Sequence, residues 1–189
     1  MPLTDWLGLI LLGLTLGAQL WTRSFLVRVV KFVAPVSVVV MLGAAAYWSA
    51  AQYFLWKNDE FGKFFLPPYQ SYDYVVGYVG TRFLAPWLVA LSAAILIPLI
   101  AQYFNRRLGE RFFEKEEMLL FGLGIFLTGY PSFLFYIVLL LIFGVLLSTY
   151  YSLLINERAP LYYVWLPPAI FAIILKNWLL PTYFLAQFN

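Results

Sequence analysis

Residues 118–155 form a run of 38 positions without a charged side chain, and that run limits the possible folds more than any other feature of the chain. As one α-helix it would extend about 57 Å, nearly twice the thickness of a bilayer's hydrocarbon core. It must therefore fold back. Thr128-Gly129-Tyr130-Pro131-Ser132 is the turn: glycine permits positive φ, and proline suits the start of a helix. The run divides into a short segment, 116–129, whose helix needs Glu114–Glu117 to lengthen it, and a full-length segment, 132–155.

Of the 189 residues, 63% are hydrophobic and 11% charged. Soluble domains sit nearer to roughly 45–50% apolar and about 25% charged, and a soluble fold of this size lacks the interior to hide the excess. The expected fold class is all-α, a polytopic transmembrane helical bundle of about six spans. Cutting at the charges puts the spans at 6–21, 32–56, 83–104, 116–129, 132–155 and 161–180. Tyr47, Trp48, Tyr53 and Trp56 form an aromatic belt on the second. Pro98 predicts a kink in the third, and Pro167-Pro168 divides the last into an extended entry and a helix. Met1–Asp5 carries no basic residue, so the first span is read as retained rather than as a signal peptide.

Eight basic residues fall on one side of this layout: Arg23, Arg28, Lys31, Arg106, Arg107, Arg111, Lys115 and Arg158. Four fall on the other, namely Lys57, Lys63, Arg82 and Lys176. The basic excess marks the cytoplasmic side, which places both termini outside. Lys176, beside Trp178, is expected to snorkel at the outer interface.

The absence of Cys and His removes disulfides, thiolate nucleophiles, zinc ribbons and imidazole chemistry. No basic stripe suggests nucleic acid, and no metal or cofactor motif occurs. Gly122-Leu-Gly124 lies in an apolar helix without the strand and third glycine of a dinucleotide loop, so close helix packing explains it. Two polar segments remain. In Asn105–Glu117, Glu114, Glu116 and Glu117 are the candidate catalytic or cation-holding acids, with Glu114 and Glu117 three apart on one face. The bland account is a solvated cluster that stabilises the start of a helix through its dipole. Arg106, Arg107 and Arg111 offer a ligand or partner surface there. The second segment, 57–82, is crowded with rings and carries Asp59, Glu60 and Asp73. It reads as a docking lid or as an element lying in the headgroup layer. Gly77 and Gly80 are assigned to close packing before the third helix. All acids fall outside the apolar cores, which argues against a proton-coupled pump, whereas Gln19, Gln52, Gln102 and Asn177 leave a path for a neutral solute open.

The second half has a recognisable layout. A basic, glycine-containing connection, Arg106-Arg-Leu-Gly-Glu-Arg111, leads into an acid-headed short helix, followed by Leu123-Gly124 and Gly129-Tyr130-Pro131. Over about residues 90–175 this resembles the C-terminal half of type IV prepilin peptidases, the aspartic membrane proteases that trim pilin leaders. The resemblance implies an inner-membrane location and a membrane-protein or leader-like peptide partner. It stops short of the chemistry: Glu114-Lys115-Glu116 stands where the family has Gly-x-Gly-Asp, and the Trp21–Lys31 connection carries no acid. Two-carboxylate proteolysis needs a pair of acids sharing a proton. The expectation is a non-catalytic membrane binding or assembly factor without cofactors. A small transporter or channel subunit for a neutral or lipidic solute, and a protease using glutamate, remain as alternatives.

Overall fold

A computed structural model describes residues 2–109, 113–155 and 161–179. Among these residues there is no strand. The elements are α1 (Leu3–Trp21), α2 (Arg23–Asn58), a 3-10 turn (Gly62–Phe65), α3 (Tyr72–Val79), a π turn (Gly80–Leu84), α4 (Ala85–Arg107), α5 (Lys115–Thr128), α6 (Ser132–Tyr150), a π turn (Tyr151–Ile155), a 3-10 turn (Leu161–Val164) and α7 (Pro167–Leu179). Four continuous helices are long and apolar enough to cross a membrane: Leu3–Trp21, Arg23–Asn58, Tyr72–Arg107 and Ser132–Ile155. The fold is an all-helical membrane bundle.

The long helices surround the short ones. α5 is apolar on nearly all sides and buries Met118, Leu120, Phe121 and Leu123 through Thr128. That pattern belongs to a helix enclosed by others. It packs against α4, α6, α1, α7 and α2. α5 and α7 have 14 and 13 residues, or about 21 and 20 Å of helix, against about 54 Å for the 36-residue α2. The outer helices turn large apolar side chains outwards, among them Ile10 and Leu14 on α1, Leu96 and Ile100 on α4, and Leu141 and Leu146 on α6. A lipid coat is the environment in which such a surface is stable.

Small residues let the inner helix approach its neighbours. A Cβ on Gly122 would lie 2.8 Å from the Ala94 carbonyl oxygen, and one on Gly124 would lie 2.7 Å from the Tyr136 ring. The packing reading of these two glycines is correct. The Gly122 contact also has a local cause. Pro98 lacks an N–H and leaves the carbonyl four residues earlier, Ala94, without its helical donor, and the bare Cα of Gly122 covers that oxygen. α4 runs through Pro98 as helix. The turn after α5 falls at Gly129, with φ +70°, and Pro131 precedes α6.

Several boundaries differ from those read at the charges. α2 begins at Arg23, and the link from α1 is the single residue Thr22, whose hydroxyl accepts the Phe25 N–H. Arg28 and Lys31 therefore lie on helix, because basic side chains on exposed turns do not interrupt a helix. The aromatic segment 57–82 is not one interfacial strip. Its second half, from Tyr72, is helix continuous with α4. Its first half folds back so that Trp56, Leu66 and Val75 form a small second core with Tyr78. Trp56 is buried there, not in the belt with the exposed Tyr47, Trp48 and Tyr53. Gly77 and Gly80 have nothing near them and make no close packing.

Candidate functional site

Polar chemistry gathers at the two ends of the bundle. At the first, Arg106 and Arg107 close α4 and Glu114 caps the start of α5. Asn105 ties the end of α4 to Phe113, its amide donating to the Phe113 carbonyl (2.7 Å) and accepting the Phe113 N–H (3.2 Å). Glu117 is buried. Its carboxylate accepts the Glu114 backbone N–H at 3.0 Å, half of a capping box that satisfies an otherwise orphan donor. The Glu114 side chain forms the other half of the box, at the Glu117 backbone, and its carboxylate also pairs with both terminal nitrogens of Arg23 (2.8 and 3.2 Å). Among the described residues no group of three acids could hold a metal ion.

Arg23 also lies over the Tyr162 ring, 5.1 Å from its centroid, and the Gln19 amide donates to the Tyr162 carbonyl. Phe113 and Phe121 pack on the Trp165 indole, and the Tyr136 hydroxyl donates to the Trp165 carbonyl at 3.0 Å. An aromatic cluster of Phe113, Phe121, Tyr136 and Trp165 therefore packs together at this end of the bundle. Glu116, with Glu114, Arg106, Gln102 and Asn105, lines a small cavity of about 280 Å³. Through Gln102, Arg106 and Met118 this cavity continues into an apolar trench of about 720 Å³ between α2 and α4. The trench is floored by Gly122, Leu123 and Phe126 of α5.

The opposite end holds a third cavity, of about 560 Å³, lined by Asp5, Gln52, Arg82, Lys176, Thr128, Tyr130 and the rings of Trp48, Phe83 and Trp87. Here the expectation for Lys176 is corrected. Its ammonium does not snorkel but meets the Asp5 carboxylate at 2.7 Å, the two side chains being 11% and 6% exposed. Asn177 donates to the other Asp5 oxygen at 2.7 Å. Asp5 lies within α1, so the statement that every acid falls outside the apolar segments is also corrected.

Arg106, Glu114 and Glu116 of the predicted site residues come together in one cavity. Arg107 stacks on Tyr103 instead, 5.3 Å from its centroid, and Arg111 lies outside the described residues. Asp59, Glu60 and Asp73 are exposed and sit in the aromatic cap, with Asp59 accepting the Gly62 N–H at 2.6 Å. Asp73 lies in the first turn of the continuous helix that Arg107 ends, so about 51 Å separates the two groups. Sequence reasoning missed Asp5, Asn105 and Arg23 as positioned groups. Asp5 alone carried a signal, an acid in the first turn of an apolar helix. No family model, curated protein or solved structure matches the chain.

Proposed function

We propose that this is a non-catalytic, multi-pass protein of the inner membrane that binds or positions an apolar membrane segment with a charged flank. The prepilin-peptidase-like layout of residues 105–131 without its aspartates is the sequence argument. The carrying observation is the trench between α2 and α4, apolar along its length and joined to a polar mouth with Arg106, Glu114 and Glu116. An apolar helix would fill the trench while its flank meets the mouth, the helix-in-groove mode of recognition. On this reading the helices make six crossings with α5 and α7 as the short ones, and the termini lie outside.

A peptide with about twenty apolar residues and a lysine-rich N-terminal leader, in proteoliposomes with the protein, tests this. The proposal expects the peptide to crosslink to a photoreactive group at Leu119 in the trench, not to one at Leu141 on α6, and to remain uncut. Leader removal that Glu116→Gln abolishes would establish the glutamate protease instead. Transport of a lipidic solute has one observation in its favour. Trp87 lines the Asp5-end cavity, Phe126 lines the trench, and the two rings are in edge-to-face contact, 5.9 Å apart at the centroids. Solute flux raised by Trp87→Ala would support that reading, and no flux across a broad solute panel would remove it.

A further inference from the structure

We infer that the cavity at the Asp5 end binds the head ring of a lipid-soluble quinone. The cavity measures about 560 Å³, within the roughly 300–1,000 Å³ of small-molecule sites. One Asp5 oxygen accepts from Lys176 and the other from Asn177, so the carboxylate is turned into its own network. The Lys176 charge is offset by Asp5 in the same contact and exerts little net pull on an anion. A neutral ligand is favoured. What the walls still offer is donors. An ammonium has three N–H groups, and among the described residues Lys176 gives one of them, to Asp5. The Gln52 amide, on α2, lines the same space and forms no hydrogen bond among the described residues. The recognition rests on these two side chains and not on Arg82, which also lines the cavity and has an interaction of its own. Donors beside an apolar, lipid-fed space cost free energy until an acceptor meets them.

Much of the remaining wall is aromatic. Trp48, Phe83, Trp87 and Tyr130 line the cavity, and flat π-systems pack on such rings in offset or edge-on contact. Leu3, Trp48 and Leu55 are also exposed on the outside of the bundle, on the flank that lipid covers. A ligand entering through this rim comes from the bilayer and keeps an apolar tail there. A quinone meets all three demands, with a flat ring, carbonyl oxygens that accept without carrying charge, and an apolar tail. Its two carbonyls lie on opposite edges of the ring, and the two donors come from different helices, α7 and α2. A phospholipid offers the tail and the acceptors but no ring. The site lies at the opposite end from the polar mouth at Glu114 and does not depend on the trench binding anything.

Native mass spectrometry of the detergent-solubilised protein with equimolar decylubiquinone and decylbenzene tests the inference, since the hydrocarbon keeps a ring and the tail without the carbonyls. About tenfold preferential retention of the quinone is expected, the scale of one to two hydrogen bonds. Gln52→Leu leaves the Asp5–Lys176 pair in place and should bring the preference to within about threefold. Gln102→Leu, at the trench, should leave it unchanged. An azido-substituted quinone gives a readout on the unmodified protein. On illumination it should label peptides that include residues 48–55 or 83–87, and not the one that holds Leu119 of the trench. Equal retention of the two compounds would overturn the inference. So would a preference that Gln52→Leu leaves unchanged, one that Gln102→Leu abolishes, labelling confined to the trench, or displacement of the quinone by equimolar dioleoyl phosphatidylglycerol.

Discussion

Replacing Lys176 with methionine removes one side of the Asp5–Lys176 contact and leaves a carboxylate with 6% side-chain exposure inside the bundle. At 2.7 Å and an effective dielectric near 20, the attraction is about 6 kcal/mol before desolvation of the two charges is subtracted. Losing one partner of a buried pair costs about 3–5 kcal/mol, because the survivor keeps its desolvation penalty. Asn177 still donates to Asp5 in the variant, so the lower end, about 3 kcal/mol, is expected. For a chain of this length each kcal/mol moves the melting temperature by roughly 2–4 °C. Lys176→Met should therefore melt roughly 6–12 °C below the parent, read from tryptophan fluorescence in detergent. The double variant Asp5→Leu with Lys176→Met removes both charges and should recover more than half of that loss, since paired buried charges replaced together by apolar groups are often tolerated. A single variant that melts within about 2 °C of the parent, or a double variant that is worse than either single, would refute the reasoning.

Gly124→Ala puts a methyl 2.7 Å from a fully buried tyrosine ring and should cost about 1–3 kcal/mol in the same assay. Gly144→Ala on α6 meets nothing within 4 Å and should be neutral or stabilising by up to about 1 kcal/mol. The Arg23–Glu114 pair is closer in form but lies 60% and 51% exposed, so Glu114→Gln should change stability by less than about 1 kcal/mol, with added salt moving the parent very little. Asn105→Ala strips two bonds from the Phe113 backbone and should cost about 1–3 kcal/mol in the same assay.

Features that depend on neighbours in the chain were legible in the sequence. The fold-back at Gly129 follows from helix length alone, and the glycines of α5 were read as packing sites because an apolar helix offers them no other use. Cutting at charges was a poorer guide to boundaries. It trimmed Arg23 through Lys31 and the whole of Tyr72–Arg82 from helices that include them, because a long helix carries charged and aromatic turns beyond the apolar layer. Contacts between distant residues were not legible. Asp5 and Lys176 are 171 positions apart, and nothing local marks either as the other's partner. The same holds for Arg23 and Glu114, 91 positions apart. The trench is likewise a property of how α2 and α4 diverge over α5, to which no single segment testifies.

That the outward apolar faces lie in lipid is the claim on which the rest stands, and the absence of cysteine makes it directly accessible. Single replacements Asp59→Cys, Leu96→Cys, Leu141→Cys and Arg107→Cys in sealed proteoliposomes can each be labelled with a membrane-impermeant maleimide. Asp59→Cys and Arg107→Cys should label from opposite sides, and Leu96→Cys and Leu141→Cys only after the protein is denatured. Equal labelling of all four positions from one side would contradict the account.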